Sequence, residues 1–252
     1  MTAQKMLGVA IPTESKSEVR EQIKKCLISH GKLTHVVSLN PENIVIAQEN
    51  ESFLRILNEA EVRIIDGIGI VKAAQTLNIP VGDRYSGVDL MSDLLNEATI
   101  SPLRVLFIGG KGNLAEELAD CYQANQAQIH NDNEYRGIQG FEDITRPKET
   151  EEVRIRSIVL DYMPHLVFVA FGSPYQELWI DEHKQYFEAA VCMGVGGGFD
   201  FLSGRVSRAP RVVRGIGLEW LYRLIRQPWR IRRQLRLLKF VYLVMKKKLS
   251  SS

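Results

Sequence analysis

The sequence predicts an α/β protein with a doubly wound, mainly parallel sheet, helices on both faces (a Rossmann-like fold) and a basic helical carboxyl-terminal appendage. Apolar, β-branched runs alternate with segments of helical period, as in repeated β-α units with right-handed crossovers. Several runs are continuously apolar, which is typical of strands covered on both faces. Because basic residues concentrate near the end, we divide the chain into a core, residues 1–204, and an appendage, residues 205–252.

The predicted elements follow one another in regular alternation. Strands are predicted at 35–40, 62–66, 103–109, 127–131, 165–172 and 189–195. Helices are predicted at 41–60, 67–77, 86–98, 112–125, 148–161 and 174–188. Ser173 before Pro174 favours a helix start there, with the serine as cap. The polar stretch 131–149 is interpreted as a surface loop between two units.

Composition restricts the class of protein. A chain of 252 residues with 45% hydrophobic content suits one large domain, or a domain with an appendage. The amino terminus lacks the charged and apolar regions of a signal peptide, and no apolar run approaches the ~20 residues of a membrane span. Cys26, Cys121 and Cys192 are far apart, which argues against a disulfide framework or a CxxC metal site. We therefore expect a cytosolic chain.

Ligands of such sheets bind beyond the carboxyl ends of the strands, where glycine recurs in this chain. Gly109 and Gly110 lie between a strand and a helix, where backbone N–H groups could meet phosphate or simply form a tight turn. Gly196 and Gly197 belong to "GVGGGFDF", where three glycines favour a close ligand over a bulge at a sheet edge. The full GxGxxG dinucleotide pattern and the Walker A loop are both absent.

Polar residues also occur at these strand ends. Asp66 directly follows an apolar strand, where it could act as a general base or cap the next helix. Arg84 could bind an anion or be a surface charge, and Gln176 with Glu177 fits a solvated first helical turn. The sequence contains no Asp-x-Asp, the spacing that holds a divalent ion on a nucleotide pyrophosphate in many sugar transferases. Any pyrophosphate must then be neutralised by other groups, and the appendage has many bases.

The appendage differs sharply in charge from the core. Residues 205–248 hold fourteen Lys and Arg against one acid, a net of +13, whereas the first 204 residues carry −11. At ~100° per residue, one side of 231–247 is apolar and the other basic, with Phe240 and Leu243 out of place. The apolar side comprises Ile231, Leu235, Leu238, Val241, Tyr242 and Met245; the basic side comprises Arg232, Arg233, Arg236, Lys239, Lys246 and Lys247.

This pattern favours a helix in an anionic membrane interface. Packing on the acidic core and nucleic-acid binding are the alternatives, and we expect no nucleic-acid partner. Pro228 predicts a break into two helices, so that the first could close on a ligand while the second lies on lipid.

Six blocks in order resemble one known family. They read "SLNPENI", "IIDGIGI", "RYSGVDLM", "GSPYQELWI", "MGVGGGFDFLSGRVSRAP" and "GLEWLYRLIRQPWRIRRQ". Together they resemble the WecG/TagA/CpsF glycosyltransferases over about residues 7 to 240. Two departures are visible: Ser38-Leu39-Asn40 stands where the family usually has Thr-Pro-Asn, and "YRGIQGF" replaces the central Gly-Tyr-Phe.

The resemblance implies an inverting, metal-independent enzyme without a cofactor, at the cytoplasmic membrane face. Its partners would be a UDP-sugar, typically UDP-N-acetylmannosamine, and a polyprenyl-diphosphate-linked N-acetylglucosamine. The resemblance makes Asp66 the catalytic base. It also places a set of residues around the substrates, namely Ser38, Asn40, Arg84, Gln176, Arg223, Arg230 and Arg233. The three appendage arginines would close over the pyrophosphate, in place of a metal.

Two other functions stay open at this point. A Rossmann-type NAD-dependent oxidoreductase would use the same sheet, and a non-catalytic, membrane-recruited protein would bind the nucleotide sugar without turnover. The sequence leaves the donor sugar, the acceptor and a homo-oligomeric state open.

Overall fold

The computed structural model describes residues 4–29, 31–97, 102–125, 132–210, 213, 219–226 and 231–250. Their centre is a six-stranded parallel sheet with helices on both faces, which confirms the predicted fold class. The strands are β1 Lys5–Met6, β2 Val9–Ala10, β3 Thr34–Leu39, β4 Val62–Ile65, β5 Arg104–Gly109, β6 Glu134–Ile138, β7 Leu166–Ala170 and β8 Val191–Gly194. β1 and β2 form a separate antiparallel hairpin, and the sheet order is β4-β3-β8-β7-β5-β6.

The helices fill the connections between strands and continue into the appendage. They are α1 Lys16–Ser29, α2 Pro41–Ala47, α3 Glu51–Glu59, α4 Ile68–Thr76, α5 Gly87–Leu95, α6 Leu114–Ala124, α7 Glu149–Tyr162, α8 Tyr175–Glu182, α9 Gly198–Leu202, α10 Glu219–Arg226 and α11 Ile231–Leu249. A short 3₁₀ helix, Lys184–Tyr186, follows α8. The break predicted at Pro228 falls on residues 227–230, which lie outside the described residues between α10 and α11.

Alternate residues of the strands feed cores on opposite faces of the sheet, as a period of two requires. Val36 and Phe168 pack with residues of α1, α5 and α6 on one face. On the other face, Val37 packs with residues of α2, α3 and α4, while Val167 packs under α7 and α8. Continuous apolar strands therefore reflect helices on both sides.

Three sequence predictions need correction. The single helix predicted at 41–60 is two helices, because Asn50 caps α3 by accepting a hydrogen bond from the Phe53 N–H at 2.9 Å. Ser173 does not cap α8: Pro174 holds that position, and the serine hydroxyl donates to Glu177. The predicted loop 131–149 contains β6.

The strand β6 was hidden by its place in the sheet. Among the described strands it pairs with β5 alone, and a polar edge strand with a glycine resembles a loop in sequence. Gly137 is needed because a Cβ there would lie 2.1 Å from the carbonyl oxygen of Ala115 in α6. The predicted strand 127–131 lies outside the described residues. The hairpin β1–β2 and α1 had not been predicted.

The last helix, α11, packs on α2 and α4 through the apolar residues that the helical pattern had left out of place. Phe240 is 2% exposed and joins the core cluster with Val244 and, partly, Leu243. Arg236 and Lys239, which the pattern places on the basic side, form ion pairs with Glu42 and Glu49 of the core. The alternative of packing on the acidic core is therefore correct for this face. No helix within the described ranges is both long and apolar enough to cross a membrane.

Candidate active site

The topology reverses direction between β5 and β7. The chain leaves β5 through α6 toward β6, and it leaves β7 through α8 in the opposite direction toward β8. Ligands of doubly wound sheets bind at such a switch point, beyond the carboxyl ends of the strands. Gly109 and Gly110 lie at the end of β5, and Gly172 follows β7. The predicted site residues of the core all lie along this edge of the sheet.

The end of β3 is held by side-chain hydrogen bonds. Asn40 caps α2, its side-chain oxygen accepting from the Asn43 N–H at 2.9 Å. The Asn43 side chain donates in turn to the carbonyl oxygen of Ser38 at 2.8 Å. Ser38 itself is buried, with its hydroxyl oxygen 3.2 Å from where a Cβ of Gly87 would stand. This segment is therefore rigid before any substrate arrives.

Asp66 lies beside this segment, directly after β4. Its N–H donates to the carbonyl oxygen of Leu39 at 2.8 Å, so Asp66 is the lateral neighbour of Asn40. Asp66 is half-buried and does not cap α4, because Gly67 with φ of 122° holds that position. The backbone of Arg84 forms an isolated parallel β-bridge with Ile65, on the side of β4 that faces away from β3. Asn40, Asp66 and Arg84 therefore come from three adjacent segments at one end of the sheet.

The glycine turns are built for close approach more than for N–H donation. The Gly110 N–H donates to the carbonyl oxygen of Ala170 at 3.1 Å, and the Gly196 N–H donates to the side-chain oxygen of Gln176 at 3.0 Å. Gly109 has φ of 93°, and a Cβ there would meet the Phe171 ring at 2.8 Å. At Gly172 a Cβ would meet nothing within 4 Å, which leaves the backbone open to a ligand.

Gln176 and Glu177 overturn the expectation of a solvated first turn. Both are buried, at 3% and 1% exposure, beneath the ends of β7 and β8. The Gln176 side-chain nitrogen would lie 2.4 Å from a Cβ of Gly194, so that glycine makes room for it. Burial raises the pKa of the Glu177 carboxyl. In the sequence, only Gly194 of "MGVGGG" could have indicated this arrangement.

A second polar cluster, which sequence reasoning missed, fixes the start of the appendage. Arg208 donates to Asp89 at 2.5 Å and to the Ser86 hydroxyl at 3.3 Å. Ser86 caps α5 and donates to Asp89 at 2.5 Å. Arg205 forms an ion pair with Glu117 of α6. Residues 205–209 therefore hold to the core before the chain continues toward α10.

The appendage arginines are described only in part. Arg223 lies in α10 and Arg233 in α11, but their side chains lie outside the described part of the structure, as does all of Arg230. Among the described residues, no three His, Cys, Asp or Glu side chains form a group that could hold a metal ion.

A groove of about 400 Å³ lies away from the predicted site residues, on the outer surface between α7 and α8. It is lined by Trp179, Glu152 and His183, among others, with the His183 ring paired to Glu152 at 2.6 Å. None of the predicted site residues lines it. The polar and glycine-rich segments meet instead at the carboxyl ends of the strands, which form the candidate site.

Comparison with known proteins decides the family. The model of the glycosyl transferase WecG/TagA/CpsF family matches residues 4–252. The chain belongs to this family. It is also similar to proteins of Staphylococcus aureus strains MW2 and NCTC 8325 / PS 47, each 31% identical over 244 residues, which cover 96% of this chain and 92% of the relative. Both are named N-acetylglucosaminyldiphosphoundecaprenol N-acetyl-beta-D-mannosaminyltransferase.

Membership in the WecG/TagA/CpsF family makes the chain a glycosyltransferase, as the sequence motifs predicted. It argues against an NAD-dependent oxidoreductase on the same sheet. The family match includes the carboxyl-terminal region as well as the residues of the sheet.

Proposed function

We propose that this glycosyltransferase moves N-acetylmannosamine from UDP to N-acetylglucosamine on undecaprenyl diphosphate, in the synthesis of teichoic acid or another surface polysaccharide. The names of relatives that are 31% identical over 96% of the chain support the two sugars and the lipid. The observation that carries the proposal is structural. Asp66 lies at a strand end between Asn40 and Arg84, on the same sheet edge as the open glycine turns.

Asp66 is the general base in this proposal. Its carboxylate takes the proton of the acceptor hydroxyl, whose oxygen bonds to the anomeric carbon as the bond from that carbon to the UDP oxygen breaks. One displacement of this kind inverts the anomeric centre. A half-buried carboxylate at a strand mouth suits the role of proton acceptor.

Arginines take the charge of the leaving UDP. Arg84 comes from the segment beside Asp66, and Arg223, Arg230 and Arg233 come from the appendage. Guanidinium groups bind phosphate oxygens through paired hydrogen bonds, and such bonds strengthen as the diphosphate gains charge. With no Asp-x-Asp in the chain, we propose that transfer needs no divalent ion.

The outer face of α11 is the membrane-binding surface in this proposal. Leu238 is 67% exposed and Tyr242 is 63% exposed, and Leu235, Val241, Met245 and Leu249 are exposed with them. These side chains point away from the face that Phe240 and Val244 bury, and Lys246 and Lys247 lie exposed in the last turns. Exposed leucines beside lysines suit a helix at an anionic lipid surface. That surface is the inner face of the cell membrane, where the lipid-linked acceptor lies.

The division into a core, residues 1–204, and an appendage, residues 205–252, fits these roles. Arg205 and Arg208 anchor the start of the appendage on α6 and α5, and α11 anchors its end on α2 and α4. The segment that carries Arg223 and Arg230 lies between the two anchors. We propose that this segment closes over the bound donor.

A donor screen tests the function. Purified protein is mixed with an undecaprenyl-diphosphate-linked or short-chain polyprenyl N-acetylglucosamine acceptor and a panel of UDP-sugars, and UDP release is measured. We expect UDP-N-acetylmannosamine to be used at least tenfold faster than UDP-glucose or UDP-N-acetylglucosamine. Turnover of another UDP-sugar alone would change the proposed donor, and binding of UDP-sugars without turnover on any acceptor would contradict the transfer.

A further inference from the structure

The side-chain amide of Gln176 is fully used inside the protein. Its oxygen accepts hydrogen bonds from the N–H groups of Gly172 at 3.1 Å and Gly196 at 3.0 Å. Its nitrogen donates to the Ser173 hydroxyl at 3.3 Å and to Glu177 at 2.8 Å. An amide has two lone pairs and two N–H groups, so these four bonds exhaust its capacity. The Gln176 amide therefore binds only protein groups in this structure and has no hydrogen-bonding position left for a substrate.

The two backbone N–H groups that Gln176 accepts from belong to turns that follow adjacent strands. Gly172 comes after β7 with φ of 82°, and Gly196 comes after β8 with φ of 51°. Both turns are open, since a Cβ on Gly172 would meet nothing within 4 Å and one on Gly196 would meet only Gln176 oxygen at 4.0 Å. A single oxygen atom thus sets the spacing of two half-buried backbone segments at the mouth of the site.

Glu177 fixes the direction of this amide. Its carboxyl oxygen Oε1 accepts from the Gln176 nitrogen at 2.8 Å and from the Ser173 hydroxyl at 2.9 Å. Rotation of the amide would bring its oxygen toward Oε1 and its nitrogen toward two N–H groups, which is repulsive at both ends. The other oxygen, Oε2, is buried with no hydrogen-bond partner in the described structure. Burial raises the pKa of this carboxyl, and Oε1 can accept both bonds whether the group is charged or neutral.

We propose that Glu177 is a positioning residue: acting through Gln176, it fixes the two glycine turns against which the nucleotide-sugar donor is held. The nature of the donor rests on the function proposed above, but the hydrogen-bonded link does not. Glu177 is required as a hydrogen-bond acceptor at Oε1, so glutamine should replace it and leucine should not. Misplacement of a bound substrate by about 1 Å can slow a reaction ~10²-fold, so loosened turns should lower kcat more than they change donor affinity.

The test compares Glu177→Leu with Glu177→Gln, and uses Glu182→Leu as the matched control on the exposed side of the same helix. The first readout is amide hydrogen exchange of Gly172 and Gly196 in protein labelled with ¹⁵N-glycine. We expect both amides to exchange at least tenfold faster in Glu177→Leu and within threefold of the wild type in the other two. The second readout is steady-state kinetics, in which Glu177→Leu should lower kcat about 10- to 100-fold with KM for the donor within threefold.

Two results would overturn the inference. One is wild-type exchange of both glycine amides in a folded Glu177→Leu variant. The other is equal damage in Glu177→Gln, which would mean that the negative charge is needed. If Glu177→Leu does not fold, Gln176→Met takes its place, because it removes all four bonds at similar size. Absence of transfer by the wild type would contradict the proposed function, whereas the exchange rates would still decide the role of Glu177.

Discussion

The carboxyl edge of the sheet and the outer face of α11 meet their surroundings in opposite ways. At the edge, polar groups are turned inward and bonded to one another, as in the four bonds of Gln176. On α11, apolar side chains are turned outward, although the opposite face of the same helix is well packed. A polar network of this kind fixes the geometry of backbone turns. An unpacked apolar face stabilises nothing in the free protein and suits a partner outside it.

The strongest test of the edge is Asp66→Asn. The amide keeps the shape of the side chain but cannot accept a proton, and general-base catalysis is typically worth ~10²–10⁴ in rate. We expect transfer to fall by that factor while the affinity for UDP, measured by calorimetry, stays within a few-fold. Near-normal turnover in this variant would remove Asp66 from the chemistry and leave the edge a purely structural feature.

The outer face of α11 is tested by changing Leu235, Leu238 and Tyr242 together to serine. Each buried apolar side chain contributes roughly 1.5 kcal/mol or more, so the three together contribute at least about 4.5 kcal/mol, and binding to anionic vesicles should fall by roughly 10³-fold or more. The fold should persist, because these residues touch no core cluster. The matched control changes Val153 and Leu160, which are exposed apolar residues on α7, to serine. This variant should bind vesicles normally.

The inner face of the same helix gives the reverse result. Phe240→Ala removes a buried ring and should lower the free energy of unfolding by about 3 kcal/mol, measured by urea denaturation. Vesicle binding by the folded fraction should not change much. If the serine variant instead unfolds more easily and binds vesicles normally, both faces of α11 serve packing and the membrane proposal is wrong.

Protonation of His35 tests how rigid the interior is. His35 is 5% exposed, and burial lowers its pKa from 6.5 to about 4. The unfolded chain therefore binds this proton more readily. The contribution of neutral His35 to the free energy of unfolding is fully present above pH 6.5 and is lost as the pH falls toward 4. Between pH 7.5 and 5 the loss should be about 2 kcal/mol in the free energy of unfolding. His35→Gln should lack that part of the decrease, and an identical decrease in both proteins would show that the site admits water.

The smallest expected effect is that of chelation. If arginines alone neutralise the diphosphate, EDTA should change the transfer rate by less than twofold, and Mg²⁺ should not restore Arg84→Ala. Loss of activity in EDTA that returns with Mg²⁺ or Mn²⁺ would mean that an ion supplements the basic residues. The UDP-release assay serves for both measurements.

The sequence predicted the framework because buried parallel strands have an unmistakable composition. The run predicted as a strand at 62–66 is β4, Val62–Ile65, and the residue just beyond it is Asp66. β6 was not predicted, because an edge strand with charged residues and Gly137 lacks that composition. Side-chain type alone could not show that Gln176 and Glu177 are buried. Their burial depends on hydrogen-bond partners from two other turns and on the space left by Gly194.

The docking of α11 also bears on how the chain folds. Arg236 and its partner Glu42 are 194 residues apart in sequence, and Phe240 packs into a cluster that includes Met6 and Ile44. Contacts across such separations form late, because the entropy of closing a long loop is lost before they stabilise anything. The sheet can therefore assemble while the surface of α2 and α4 is still uncovered. We expect α11 to be the first element to detach by local unfolding, and its amides to exchange with solvent well before those of β3 and β7.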